Sequence, residues 1–389
     1  MYGGSLCRRI FLQKWIVTMK IDFVIPCLLG LEAVIAGEMK TLGAENVRSE
    51  NGRVLFSGDE RLLARVNICS RYAERLQVLM GTFEAHSFED LFQGTKAIEW
   101  ENWIGCEDAF PVKGYSINSD LFSVSDCQAI IKKAVVERMK TKYNISWFEE
   151  TGPVYQIQFS IMKNQVSLLL DTSGAGLHKR GYRLEANLAP IKETIAASLC
   201  SLAHVRHYHT LYDPMCGSGT ILIEGALLAN NIAPGKNRHF SAERWANIPR
   251  SVWEEERELA QSRELRDTQF CAYGSDIDDE ALKVARVNAE RAGVSRFIHF
   301  EKADIRSFKP KSEKGTVIVN PPYGERLLDI EQAKELYKIM GRRFPQSKGW
   351  AYNIITPDED FEKLFGRKSD KSRKLYNGMI KCRYYMYFK

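Results

Sequence analysis

No run of apolar residues in this chain approaches the ~20 needed to span a bilayer, so a transmembrane helix is not expected. None of the nine cysteines stands in a CxxC pair; Cys7, Cys27, Cys69, Cys106, Cys127, Cys200, Cys216, Cys271 and Cys382 are scattered singly. That scatter argues against a zinc ribbon or a disulfide framework and suits reduced thiols in a cytoplasmic protein. Nor do His, Cys, Asp and Glu gather at ligand spacing anywhere, so no metal is expected. Strong charge of one sign is missing too: the net charge of +6 is only a mild pointer to a polyanionic partner. A cleavable leader is also poorly supported. Arg8-Arg9-Ile10-Phe11-Leu12 opens like one, but Gln13 and Lys14 break the apolar run and no small-residue cleavage site follows. Met19–Ile25 reads as a start into a strand, so Met1–Thr18 is expected to be a disordered extension or the product of an upstream start codon, dispensable for stability and activity.

What is present is organised around Leu211–Ala226. Leu211-Tyr212 end a buried strand, Asp213–Thr220 form a small-residue loop, and Ile221, Leu222, Gly225 and Leu228 mark one face of a following helix. Strand, glycine loop, helix is the nucleotide-binding corner of a doubly wound sheet. Gly217 and Gly219 allow close backbone approach, and the helix start presents free N–H groups to an anion. Three later strand ends carry polar groups: Tyr273–Asp278, whose acids suit ribose hydroxyls, Glu301–Ile305, and Val317–Gly324 with Asn320-Pro321-Pro322-Tyr323. A nicotinamide dinucleotide is the weaker ligand. Its ribose acid would follow the glycines by ~20 residues, whereas Asp276 lies far beyond, and Leu222 occupies the place of the third glycine.

These motifs, in this order, resemble the class I S-adenosylmethionine-dependent methyltransferases, in which Asn-Pro-Pro-Tyr marks enzymes acting on exocyclic amino groups. The resemblance is strongest from Leu177 to Leu327 and points to the THUMP-domain RNA guanine-N2 methyltransferases of the 23S ribosomal RNA type. It implies an α/β fold: a class I (Rossmann-like) methyltransferase domain at 173–389, preceded by a ferredoxin-like α+β unit at 19–75 and a THUMP RNA-binding domain at 76–172. S-adenosylmethionine is then expected with its methionine part over Gly217–Gly219, among Asp213, Pro214, Cys216, Ser218 and Thr220. Its ribose falls on Asp276 beside Ile277 and its adenine near Asp304 and Ile305, with Ala189, Pro190 and Asn320 close by. Asn320, Pro321, Pro322 and Tyr323 are the catalytic candidates.

The N-terminal half carries nothing catalytic by type or spacing, and on its own reads as a scaffold. Gly30–Gly43 gives a helix, Val47–Phe56 a hairpin at Asn51-Gly52, and Glu60–Leu79 a helix and strand. Phe88–Ala97 gives another helix and Phe110–Ile117 a strand. Ser125 is placed to cap a helix over Asp126–Tyr143 with Ile130, Ala134, Val135 and Met139 inward, followed by strands at Val154–Ile161 and Gln165–Asp171. As a THUMP domain it would offer Lys132, Lys133, Arg138, Lys140 and Lys142 to RNA phosphates. Ser173–Gly176 reads as a flexible link into a basic knot of His178, Lys179, Arg180 and Arg183, expected to face RNA. In an insertion at 230–269, adjacent Arg244 and Trp245 suit nucleic-acid contact, while the helix Val252–Arg266 reads as a solvated face. The basic stretch Lys363–Lys374 is a further candidate flank for RNA. Asp279 is expected to cap the helix Glu280–Ala292. Adenine-N6 methylation of RNA or DNA and an inactive RNA-binding module are the competing readings.

Overall fold

The computed structural model describes residues 20–183, 191–322, 330–344, 347–378 and 380–388. Met1–Thr18, Ala189, Pro190 and Tyr323 lie outside the described residues.

The chain opens with β1 (Ile21–Pro26), α1 (Glu32–Thr41), β2 (Glu45–Glu50), β3 (Arg53–Gly58) and α2 (Glu60–Cys69). Asn51-Gly52 turns β2 into β3, which lies antiparallel to β1 with Phe23 opposite Phe56 and their rings stacked at 5.3 Å. Asp59 caps α2 by accepting the Leu62 amide at 2.8 Å. Then come β4 (Gln77–Glu84), α3 (Phe88–Ala97), β5 (Val112–Ile117), α4 (Val124–Tyr143), β6 (Gln156–Met162) and β7 (Gln165–Asp171). Helix α4 starts at Val124, so Ser123 rather than Ser125 holds the cap position, and Ile131 rather than Ile130 is in the buried stripe. The two units share one seven-stranded sheet, β2-β3-β1-β4-β7-β6-β5, joined where β1 pairs with β4 at Phe23–Val78 and Val24–Gln77.

The expected link Ser173–Gly176 is held rather than free. The Ser173 hydroxyl donates to Asn67 Oδ1 at 2.7 Å and accepts from the Leu76 amide at 2.9 Å, and Arg238 donates to the Ala175 carbonyl at 2.8 Å. The remaining elements are α5 (Glu193–Leu202), β8 (Thr210–Asp213), α6 (Thr220–Ala229), α7 (Arg250–Ser262), β9 (Cys271–Asp276), α8 (Asp279–Arg291), β10 (Ile298–Lys302), β11 (Gly315–Val319), α9 (Ile330–Arg343), β12 (Trp350–Thr356), α10 (Phe361–Phe365), β13 (Lys371–Asn377) and β14 (Ile380–Tyr387). Asp278, one residue earlier than expected, caps α8 by accepting from the Glu280 amide at 2.9 Å. Helix α7 is not a solvated face. It buries Val252, Trp253, Glu256 and Ala260 and packs on α2, where Arg65 grips Glu256 through both carboxylate oxygens at 2.8 and 2.7 Å.

These strands form a second seven-stranded sheet, β10-β9-β8-β11-β12-β14-β13, parallel except for the terminal β14 and β13. The chain leaves β8 outward to β9 and β10, then returns to β11 on its other side. That reversal opens a crevice beyond the C-terminal ends of β8 and β11, which is where open α/β sheets hold ligands. Helix α6 lies close over the sheet because a Cβ at Gly225 would come within 2.5 Å of Leu211 Cδ2. Gly225 thus does the packing work that Leu222, in the third-glycine position, cannot. Among the described residues no helix is long and apolar enough to cross a membrane.

Candidate active site

Every strand end around the crevice contributes a polar group. At the end of β8, Asp213 accepts the Met215 amide at 3.2 Å and is only 2% exposed. The loop that follows is tied to β9 by Cys216 N to Ser275 O at 3.0 Å and by Gly217 N to Asp276 Oδ2 at 2.8 Å. Gly217 and Gly219 sit at φ +50° and +77°, where side chains are disfavoured, so the loop turns tightly into α6. From α8, Asn288 donates to the Ser218 carbonyl at 3.2 Å and fixes the loop from behind. Asp276 also accepts the Asp278 amide at 3.1 Å, and Ile277 between them is left uncovered. Asp304 caps a short 3-10 turn by accepting the Arg306 amide at 2.7 Å and pairs with the Arg306 guanidinium at 2.9 Å, while Ile305 is buried.

Charge is unbalanced at this loop. Burial, with help from the neighbouring Asp276 carboxylate and against the Met215 amide, raises the Asp213 carboxyl to about 8. Burial also pushes the Cys216 thiol well above its usual range, so it is no ready nucleophile. Asn320 follows β11 directly, with Pro321 buried and Pro322 half-buried behind it. Its carboxamide oxygen is enclosed and has no hydrogen-bond partner among the described residues. A buried acceptor without a donor costs about 1–3 kcal/mol, a penalty that a donor brought by a ligand removes.

Of the residues expected to face RNA, Lys133, Lys142, Lys179 and Arg244 are exposed, as are Lys363, Lys368, Lys371 and Lys374 of the basic stretch. Lys132, Arg138, His178, Arg180, Arg183 and Trp245 are held by partners within the protein, and of these Arg180 and Trp245 are buried, against that expectation. Lys132 donates to the Phe110 carbonyl at 3.1 Å, pairs with Glu150 and lies 3.5 Å over the Phe110 ring. Arg138 and Lys142 share Glu101, at 2.6 and 3.3 Å. His178 lies 2.9 Å from Glu74; burial alone would raise that carboxyl, but His178, Thr194 and Lys192 outweigh it and hold Glu74 down to about 2. The Arg180 side chain is 3% exposed, donates to the carbonyls of Leu177 and Arg71, and stands 3.5 Å from Glu224. Arg183 donates to Thr220 Oγ1 at 2.8 Å and the Ile191 carbonyl at 2.9 Å. Trp245 is 2% exposed, stacks on Tyr155 at 4.4 Å and donates to the Val154 carbonyl at 3.0 Å. A desolvated guanidinium or indole N–H needs acceptors, and these come from the junction between the two sheets. The signal missed in the sequence is Glu224, a lone acid in the apolar α6, where Arg180 and Tyr182 converge.

Comparison with known proteins accords with this architecture. The chain matches the RlmL ferredoxin-like domain over residues 22–77, the THUMP domain over 85–171 and the RMKL-like methyltransferase domain over 180–386. It is 42% identical to YpsC of Bacillus subtilis (strain 168), provisionally named an RNA methyltransferase, over 95% of this chain and 96% of that protein. It is 35% identical to the ribosomal RNA large subunit methyltransferase K/L of Shewanella amazonensis over 92% of this chain, but spans only 52% of that longer protein. Among solved structures it is similar to SMU.472, provisionally described as a methyltransferase and complexed with SAH: 38% identity, TM-score 0.91, 96% of this chain and 99% of that one.

Proposed function

Since this chain belongs to the RMKL-like methyltransferase family, whose members use S-adenosylmethionine to modify RNA, we propose that its target atom is an exocyclic amino nitrogen, guanine N2 of large-subunit ribosomal RNA. The observation that carries this reading is the carboxamide oxygen of Asn320 at the end of β11, enclosed and without a hydrogen-bond partner among the described residues. The residues present also fit the cofactor. Asp213, which burial keeps from ionising, is relieved by a cationic ligand, and Asp276 and Asp304 end β9 and follow β10 where ribose hydroxyls and an adenine amino group would be received.

The cofactor supplies an electrophilic methyl group on a sulfonium. The protein must make a poor nucleophile attack it, because the amino lone pair of a nucleobase is delocalised into the ring. Asn320 Oδ1 and the Pro321 carbonyl accept the two amino hydrogens. This pulls the nitrogen towards tetrahedral geometry and localises its lone pair, and the methylated nitrogen then sheds one proton to solvent. Pro321 and Pro322 restrict φ and keep the carbonyl aimed. Tyr323 is assigned the aromatic face for a base drawn out of its stack. The N-terminal units, 19–75 and 76–172, present the RNA to the catalytic unit at 173–389, and the protein works in the cytoplasm.

Asn320→Ala is expected to lower single-turnover methylation ~10²–10³-fold, the scale of a lost transition-state hydrogen bond, with cofactor affinity little changed. Nucleoside mass spectrometry of ribosomal RNA from a deletion strain is expected to show loss of one N2-methylguanosine. Loss of an N6-methyladenosine instead would transfer the reading to adenine, and an unchanged nucleoside profile with full Asn320→Ala turnover would overturn it.

A further inference from the structure

The segment Arg180–Arg183 runs along α6 towards the glycine loop. Tyr182 donates to Glu224 Oε1 at 3.0 Å, one turn into the helix, and Arg183 then donates to Thr220 Oγ1 at 2.8 Å at its first residue. Helix α6 has ten residues and is preceded by Gly219, which has no side chain to cap it, so its first N–H groups face the loop. The Ser218 and Thr220 hydroxyls stand 3.3 Å apart beside them. Among the described residues, Arg183 Nε is buried without a hydrogen-bond partner, 3.5 Å from Glu193 Oε1, and Glu193 Oε2 is likewise unpartnered in a residue 3% exposed. Among the described residues its only acceptors are the Thr220 hydroxyl and the Ile191 carbonyl, both reached by the same Nη2 nitrogen.

The loop is therefore polarised. Its strand side offers acceptors, Asp213 and Asp276. Its helix side offers donors: a guanidinium, two hydroxyls and the uncapped start of a helix. A ligand with an ammonium and a carboxylate on one carbon matches both sides. The methionine end of S-adenosylmethionine is such a group.

We propose that Arg183 anchors the α-carboxylate of the bound cofactor at the start of α6, with Glu193 as the positioning residue that keeps the guanidinium turned towards the loop. This rests on the S-adenosylmethionine reading above and assigns Arg183 to the cofactor instead of to RNA. A charge-assisted bond to a carboxylate is worth about 10-fold or more in affinity.

The test is calorimetry of the full chain with two probes, S-adenosylmethionine and its decarboxylated analogue. Wild type is expected to prefer the carboxylated probe ~10-fold or more. Arg183→Gln is expected to lose that preference by weakening only the carboxylated probe, and Arg183→Lys to keep part of it. If Arg183→Gln does not fold, Arg183→Lys and Thr220→Val carry the test, since each loosens the same contact and should shrink the preference. Equal weakening of both probes, or no weakening of either, overturns the proposal. Binding of S-adenosylmethionine to wild type tests the underlying cofactor reading separately, because it does not depend on any variant.

Discussion

Asp213 is a carboxyl removed from water with no cation beside it among the described residues, and its protonation state is set by what binds. Its folded value of about 8 lies well above the 3.8 of an exposed aspartate. Its contribution to stability is thus fully present below pH ~4 and is lost as pH rises through about 8, because the unfolded chain ionises first. A cationic ligand reverses the preference by favouring the carboxylate. Binding therefore expels a proton below pH 8, and cofactor affinity is expected to rise with pH towards about 8 and to fall above it as the cofactor's own ammonium loses its proton. Calorimetry in buffers of different ionisation enthalpy reads that proton directly. Asp213→Asn removes the titration: its affinity should be weaker and flat with pH below about 8, and its unliganded melting at pH 8 should be stabilised by ~1 kcal/mol or more. A wild-type affinity independent of pH between 6 and 9 would show that no cation comes near Asp213.

At the scale of elements, the loop before α7 is bolted to the N-terminal sheet. Trp245 fills a slot between Tyr155, stacked at 4.4 Å, and Trp103, edge-on at 5.9 Å. Trp245→Ala should then behave as a large core truncation, costing about 3–5 kcal/mol in denaturant unfolding without changing how RNA affinity varies with salt. An unaltered midpoint with a flatter salt dependence would return Trp245 to the RNA surface. The contrast shows what the sequence could carry. The glycine loop, the acids at strand ends and Asn320-Pro321-Pro322 were legible because each is local, a few residues whose types suffice. Trp245 beside Arg244 was misjudged because the same adjacency suits an RNA surface or a buried bolt. The partner that decides between them, Tyr155, is about ninety residues earlier in the chain. Arg180 and Arg183 were misjudged for the same reason, since Glu224 and Thr220 meet them only through α6. The pairing of β1 with β4, which fuses two expected units into one sheet, involves two residue pairs and leaves no mark on the hydrophobic pattern.

For the whole molecule, contacts across the junction tie the N-terminal sheet to the sheet that carries the glycine loop. Arg65 and Arg61 of α2 reach Glu256 and Glu255 of α7, at 2.7 Å each. Arg71 donates to the Ile232 carbonyl at 2.8 Å, and Arg180 returns a bond to the Arg71 carbonyl. Arg61 and Glu255 are exposed, but the Arg65–Glu256 pair and the Arg71 and Arg180 bonds are buried or half-buried, and breaking those strands charges and polar groups out of water. Neither sheet can open without stripping partners from the other, so local unfolding of one should carry the free energy of both. S-adenosylhomocysteine, proposed to bind at the crevice of the second sheet, tests this. At 100 times its dissociation constant a ligand adds ~2.7 kcal/mol to whatever unfolds with its site. The slowest-exchanging amides of β6 and β7 should therefore gain the same ~2.7 kcal/mol as those of β8 and β9, and calorimetry should show a single transition moved as a whole. Protection confined to β8 and β9, or a second transition that the ligand leaves in place, would mean that the two sheets fold independently and that the junction guides RNA without coupling it to the cofactor.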